Sequence, residues 1–451
     1  MVSNNQKQVN DIEPLFNELS SALLADLTER ENLTISLAGE NSQFCRINAG
    51  KIRQIGLVDE FAISLDLIHE QRRAEGSISL TGDLAGDLQE ARMELARLRE
   101  EVAQLPEDPY LVFPPADKKS RTDQRANLLD STDGAEKLLP VMEEVDLSGI
   151  WASGRIVRGN INSAGSKHWF STDSFSLDYS LLNAQEKMVK GTFAGSNWQQ
   201  QSYEDFLSAS IEKLKMMDRP SVKIKPGNYR TYIAPAGVSD LLAMFSWHGL
   251  SEAALQTGES AFARMRNDGV KLSSLFSLAE DFSSGRVPLF NETGEVAPER
   301  VDLIKAGELK NSLVSSRSAK EFSVQSNYAD EDESMRSPVM AAGNLQQADI
   351  LAALGTGVYL SNLHYLNWSD VAGGRVTGMT RYACFWVEDG EIKGPLDTMR
   401  FDDSLYHFFG DHLEAVTAES QIIPDVGTYE GRGLGVTQCP GVLLSSFELT
   451  L

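Results

Sequence analysis

Leu84, Leu88, Ala91, Leu95, Leu98, Val102 and Leu105 follow one another at alternating steps of four and three, with Glu and Arg filling the positions between them. That spacing draws an apolar stripe along one face of a helix and leaves the other face charged. Asp83 supplies a start, and Pro106 forbids continuation. A stripe of this kind has to cover something. The repeat is short for a coiled coil with a partner, so it is read as a helix lying on a sheet of its own chain.

The flanking sequence supplies that sheet. Val9, Ile12, Phe16, Leu19 and Leu23 mark an opening helix. Short strands are expected at 33–37, 44–47, 52–55, 61–68 and 77–80, separated by polar or glycine spacers at 39–42, 48–50, 59–60 and 75–76. Short spacers between alternating runs suit an antiparallel meander. Pro106, Pro109, Pro114 and Pro115 then precede a polar stretch, which places a boundary. The expected division is an N-terminal domain over 1–112, a small central α/β segment over 113–222 and a β-rich domain over 223–451. The central segment predicts a helix near 134–145, strands at 150–158, 175–182 and 187–193, and a helix at 203–217. The last part predicts one long helix carrying Val238, Leu241, Leu242 and Phe245 ahead of His248-Gly249. Alternating strands and glycine turns follow, as in a sandwich or a barrel. The fold class is α+β. The acidic stretch 328–337, with Asp330-Glu-Asp-Glu333, is expected as a solvated loop.

Charge narrows the partners. Among 451 residues the acids outnumber the bases enough to give a net charge of −24. A nucleic-acid binder needs a basic face to displace counterions from phosphate, so nucleic acid is not expected. An anionic membrane surface is disfavoured on the same ground. No apolar run reaches spanning length, and the N-terminus has no apolar core of a secretory signal. The 3 cysteines, Cys45, Cys384 and Cys439, lie far apart. They form neither a disulfide framework nor a metal knuckle, and a cytoplasmic location is expected.

A zinc peptidase of the common kind sets two His on one helical face beside a Glu that takes the proton of metal-bound water. His69-Glu70 has no second His at a usable spacing and reads as a solvent-facing strand end. His248 and Glu252, four apart on the expected long helix, could share a face. They would need a further ligand such as His364, His407 or Cys439. His407 and His412 are five apart, which points them away from each other on an ideal helix. No Ser lies in a nucleophile elbow, Cys384 sits in an alternating strand as a packing residue, and Cys439, near the C-terminus, could be exposed but has no neighbour in sequence that would activate it. Gly355-Thr-Gly357 and Gly431-Arg-Gly-Leu-Gly435 lack the strand-to-helix context of a phosphate loop. No catalytic residue, cofactor site or metal site is assigned, and His248 is the one weak metal candidate.

Several stretches in order resemble the TldD/TldE family, whose TldE side is also called PmbA or modulator of DNA gyrase. They are Phe44-Cys-Arg-Ile-Asn-Ala-Gly-Lys-Ile-Arg-Gln-Ile-Gly56, the run 71–84, Asn162-Ser-Ala-Gly165 with 171–176, and Pro226-Gly-Asn-Tyr-Arg-Thr-Tyr-Ile-Ala-Pro235. Lys305-Ala-Gly-Glu-Leu-Lys-Asn-Ser-Leu313, Gly357-Val-Tyr-Leu-Ser-Asn-Leu-His364 and Phe385-Trp-Val-Glu-Asp-Gly-Glu-Ile392 complete the set. The resemblance implies a two-subunit, zinc-dependent protease system that degrades unfolded peptides and trims leader segments. In it, TldD-like chains carry His-Glu-x-x-x-His on the long helix and a Cys ligand near the C-terminus, and TldE-like chains lack them.

Here the helix reads Trp247-His-Gly-Leu-Ser-Glu-Ala253. With His248 as first ligand, Gly249 stands at the catalytic Glu and Ala253 at the second His, while the Cys would fall near Thr428 or Tyr429. The expectation is therefore a TldE/PmbA-like, non-catalytic chain without zinc of its own. Its partner would be a zinc-bearing TldD-like subunit or a second copy, and its substrate an extended peptide. Two other readings stand beside it: a metallopeptidase with a nonstandard site near His248, and a homodimeric peptide-binding protein with no proteolytic role.

Overall fold

Ala49 and Gly50 both take positive φ, 51° and 65°, as a two-residue hairpin turn requires. They join β1 (Glu31–Asn48) to β2 (Lys51–His69), which pair antiparallel along their length in the computed structural model. That model describes residues 4–247 and 249–451, with side chains from Ile12 onward. The breaks expected at 39–42 and 59–60 do not occur. Glu40 faces Glu60 and Asn41 faces Asp59 in continuous register, so these polar residues belong to the alternation of a long ribbon.

β3 (Arg72–Ser79) adds to β2 from Ala62 onward. The opposite edge of β1 takes β5 (Asp146–Asn162), and β6 (Lys167–Leu182) pairs with β5 in turn. Two short strands share the far edge of β6: β4 (Lys119–Gln124), running parallel, and β7 (Met188–Gly195), antiparallel. The sheet order is β3-β2-β1-β5-β6-β4. Residues on both sides of position 112 therefore share one sheet and one core.

The two faces of this sheet differ. Odd-numbered residues carry the apolar set. At one end Leu33, Ile35, Leu37, Ile63, Leu65 and Leu67 pack under α1 (Asn4–Ala25) and α2 (Leu84–Val102). Asp83 caps α2 by accepting from the Gly86 N–H at 3.0 Å, and Ala91, Leu95, Leu98 and Val102 are among its buried residues. Truncating such a leucine to alanine costs about 2–5 kcal/mol. At the other end Trp151, Phe175, Leu177 and Tyr179 pack under α4 (Gln200–Met217), next to the short helix α3 (Gly134–Leu138). The helix expected over 134–145 stops at Leu138 because Pro140 cannot donate the next bond.

The even-numbered face is polar and meets the C-terminal half. Asn160 Nδ2 donates to the Glu292 carbonyl at 2.7 Å, and the buried His168 ring stacks on Phe290 at 5.0 Å. Arg432 plugs into the same face. Its guanidinium donates to the Ser174 carbonyl (3.1 Å) and hydroxyl (2.8 Å) and to the Gly154 carbonyl (3.3 Å), and its own N–H donates to Glu40 at 3.0 Å. Burial pulls the Arg432 pKa down to about 10, and Glu40 opposes that fall.

The C-terminal half is one branched, mixed sheet with no closed barrel. The α+β class and the β-rich C-terminal part are as expected, and of the two forms named for that part the barrel is not closed. Its strands are β8 (Gly227–Ile233), β9 (Leu278–Asp281), β10 (Arg300–Lys305), β11 (Glu308–Leu309), β12 (Pro338–Met340) and β13 (Gly357–Leu360). They continue as β14 (Asn362–Asp370), β15 (Arg375–Arg381), β16 (Phe385–Glu388), β17 (Glu391–Pro395), β18 (Arg400–Ser404), β19 (Leu413–Pro424) and β20 (Val436–Leu449). The main path runs β11-β10-β9-β12-β20-β8-β13-β16-β17. Helix α5 (Pro235–Ser246) lies against β14 and β20 and buries Val238, Leu241, Leu242 and Phe245. Among the described residues no helix is long and apolar enough to cross a membrane.

The acidic stretch 328–337 is not a solvated loop. Ala329, Glu333 and Ser337 are buried, because backbone N–H groups around them need acceptors. Arg336 and Ser337 donate their N–H groups to Glu280 Oε1 at 2.8 and 2.7 Å, and Glu280 Oε2 has no partner. Burial pushes the Glu280 carboxyl up to about 7 from 4.5. A carboxyl raised in this way favours the fold below its unfolded pKa and loses that contribution as pH climbs through the folded value. Glu280→Gln is expected to match the native chain near pH 4.5 and to exceed it by about 2–3 kcal/mol above pH 7, read from urea unfolding across pH.

Candidate functional site

Phe245 and Met244 close α5. The Trp247 N–H returns to the Met244 carbonyl at 3.0 Å and the Leu250 N–H to the Phe245 carbonyl at 3.0 Å. The helix therefore ends at Ser246, and Ser246 Oγ accepts from the Met335 N–H at 3.0 Å. The long helix expected to carry both His248 and Glu252 is thus two helices. α6 (Glu252–Thr257) starts afresh, capped by Ser251 Oγ accepting from the Ala254 N–H at 3.2 Å. His248 lies outside the described residues.

Gly249 sits where no side chain fits. A Cβ there would stand 2.8 Å from Phe245 C and Cα and inside contact distance of the Phe245 carbonyl oxygen. This crowding is backbone against backbone, so no rotamer relieves it.

Two buried carboxylates brace α6 against the loops around it. Glu252 is 3 % exposed and takes Arg266 bidentately, with Nη1 at 2.9 Å and Nη2 at 2.6 Å. Ser312 Oγ and Gln256 Nε2 also donate to it. Burial alone would raise this carboxyl, but the hydrogen bonds from Arg266, Ser312 and Gln256 outweigh it and hold the pKa below the ordinary value. Glu333 accepts from the Ala253 N–H (2.9 Å), Ser251 Oγ (2.7 Å) and the Ser315 N–H (2.8 Å). Arg266, Ser312 and Glu333 carried no sequence signal. They come from separate segments, and Glu333 lies in a charge run that reads as solvated.

The other candidates disperse. His364 is part-buried, with Nε2 3.0 Å from Arg381 Nη1. Burial, then Arg381 and Lys190, lower its pKa, which keeps it neutral beside cations. Cys439 is fully buried, not near the surface. Its thiol donates to the Pro235 carbonyl at 3.2 Å, and burial followed by the charge of Asp240 pushes it up to about 12. Cys384 is a buried packing residue as expected. His407 and His412 do meet, with ring centroids 4.1 Å apart. Residues His407–Asp411 form a π-turn in which the His412 N–H donates to the His407 carbonyl, so a five-residue step brings the two rings together in a tilted contact. His407 Nδ1 is 2.9 Å from Asp403, and His412 Nδ1 is 2.8 Å from Ser445 Oγ. Tyr429, near the position where a C-terminal Cys ligand would fall, is 90 % exposed.

Open space lies elsewhere. A cavity of ≈ 490 Å³ opens between the polar face of the first sheet and the loop at Glu430–Arg432, lined by Glu40, Asp59, Glu60 and Arg158 among others.

The profile of the PmbA/TldA metallopeptidase C-terminal domain matches residues 226–451. The chain belongs to this PmbA/TldD family. Solved structures agree in fold over nearly the whole PmbA/TldD-like chain. TldE from Thermococcus kodakarensis superposes with a TM-score of 0.77 at 15% identity, covering 98% of this chain and 100% of that one. A candidate modulator of DNA gyrase from Bacteroides thetaiotaomicron gives 0.76 at 16%, with 100% of both chains covered. Another candidate modulator of a DNA gyrase, from Thermotoga maritima, gives 0.75 at 12%, covering 97% of this chain and 100% of that one. No curated protein matches the sequence.

The zinc that the PmbA/TldD metallopeptidase family implies does not fit the residues present. Glu252 is consumed by Arg266, Cys439 is a buried neutral thiol, and positions 249 and 253 offer no ligand. Among the described residues no three His, Cys, Asp or Glu are grouped to hold a metal ion. Gly249→Ala is expected to cost about 2–4 kcal/mol in urea unfolding. Gly56→Ala, where a Cβ meets nothing within 4 Å, should cost less than about 1 kcal/mol.

Proposed function

We propose that this chain is a non-catalytic, TldE/PmbA-like subunit of a metalloprotease that acts on unfolded or leader peptides in the cytoplasm. The observation that carries the reading is the closed space at Gly249. A glutamate cannot enter there without displacing the end of α5, so the general base of the His-Glu-x-x-x-His pattern is excluded sterically as well as by sequence. The buried Glu252–Arg266 pair supports it, because a carboxylate already saturated by a guanidinium and a hydroxyl is a poor ligand and a poor base.

In this reading the chain contributes shape and polar contacts. The cavity beside Arg432 is walled by carboxylates and the Arg158 guanidinium, groups that pair with the amides and charges of an extended peptide. Hydrolysis belongs to a TldD-like partner that brings the zinc.

Native mass spectrometry of the chain drawn from its own source tests this. A complex with a second, zinc-bearing family member, cleaving unfolded casein only when both chains are present, is expected. Cleavage by this chain alone, or a preparation without such a member, would contradict it.

A further inference from the structure

The cavity of ≈ 490 Å³ next to Arg432 has the size of a small-molecule site. Its floor carries Ala38, Glu40, Glu60, Ala62, Ile156 and Arg158, even-numbered residues of β1, β2 and β5. Glu40 lies directly across the ladder from Glu60. Like charges so placed repel, and Glu430 lines the same space. Glu40 is 6 % exposed. Its Oε1 accepts the Arg432 N–H at 3.0 Å, and its Oε2 has no hydrogen-bond partner. A buried carboxylate oxygen left without a donor is costly.

Arg158 is the other incomplete group. Ala38 faces Arg158 and Glu40 faces Ile156, so Arg158 stands one diagonal step from Glu40, about 7–8 Å away. Its Nη1 donates to the Val157 carbonyl at 2.8 Å. Burial lowers its pKa, while Glu40 and Glu292 oppose the fall. Among the described residues Arg158, Glu40, Glu60 and Glu430 form no ion pair, so Glu40 and Arg158 do not satisfy each other. A guanidinium has five donors, and most of these are left for an anion.

The acidic side therefore lacks a cation, and a point one strand away lacks an anion. A metal ion would do nothing for Arg158, and among the described residues no three His, Cys, Asp or Glu are grouped to hold one. We propose that the cavity binds a short free peptide as a zwitterion, its α-ammonium between Glu40 and Glu60 and its α-carboxylate on Arg158. The ammonium supplies a donor to Glu40 and offsets the repulsion of the opposed carboxylates. The guanidinium takes the carboxylate through two parallel hydrogen bonds. A dipeptide spans at most about 7 Å, which matches the diagonal between the two groups. Between its ends it meets the small or apolar Ala38, Ala62 and Ile156. The inference deepens the peptide reading of this cavity and rests on it for the class of ligand, but not on a partner chain or its zinc. The ligand is then a small product of peptide cleavage.

Isothermal titration calorimetry on the isolated full chain tests it, with L-alanyl-L-alanine as the probe. Saturable binding is expected at about millimolar concentration or below. N-acetylation removes the ammonium and C-amidation the carboxylate, and each should weaken binding at least about tenfold. Glu40→Gln keeps an acceptor for the Arg432 N–H, and Arg158→Gln keeps a polar side chain. Each should weaken binding by a similar factor with far-UV circular dichroism unchanged. Glu60→Lys, at an exposed position, should do the same by placing its own ammonium between the carboxylates. No binding of the free dipeptide overturns the proposal, and so does binding indifferent to these substitutions. A dipeptide blocked at both ends that binds as tightly as the free one also overturns it, and leaves the cavity to an extended segment. The subunit reading fails by a different result, the lack of a zinc-bearing partner, which this titration does not touch.

Discussion

The ion pair between Glu252 and Arg266 governs the region around the end of α5. A carboxylate taken out of water is costly unless it is met by a guanidinium and further donors. Here Arg266 fills both oxygens while Ser312 and Gln256 take remaining lone pairs. To bring Glu252 there the chain breaks its helix after Ser246, passes a residue that must be glycine, and starts again at Ser251. Removing Arg266 or Ser312 would strand a buried charge. The segment from Trp247 to Ala253 is thereby built into the packing of the chain.

The second organising contact is Arg432. Its side chain crosses from the loop ahead of β20 into the polar face of the first sheet and finds only neutral acceptors there, with Glu40 nearby to offset its charge. That face is why the first sheet carries Ser, Asn, His and Arg where an isolated two-layer domain would carry solvent-exposed residues. The same alternation gives the open space next to Arg432 its polar walls. Architecture and cleft chemistry thus follow from a single period-two pattern read from both sides.

Much of this was legible in the sequence. The stripe from Leu84 to Val102 and the meander under it follow from periodicity alone. The family likeness was carried by short motifs in order. Local patterns failed wherever a long-range contact decides. Glu40, Asn41 and Asp59 look like turn residues but continue strands, because a second sheet half and the hairpin partner supply their neighbours. Pro106 to Lys137 looks like a domain boundary, yet β1 reaches across it to β5. His407 and His412 diverge only on a helix of 3.6 residues per turn, and the π-turn between them removes that divergence. The buried role of Glu333 was hidden by its acidic neighbours.

On the proposed reading, the segment from α5 to α6 is a structural joint and not a metal site. The most direct measurement is zinc stoichiometry by inductively coupled plasma mass spectrometry on the isolated chain after dialysis against zinc-buffered medium. Far less than one zinc per chain is expected, unchanged by His248→Ala. One zinc per chain, lost on that substitution, would contradict it.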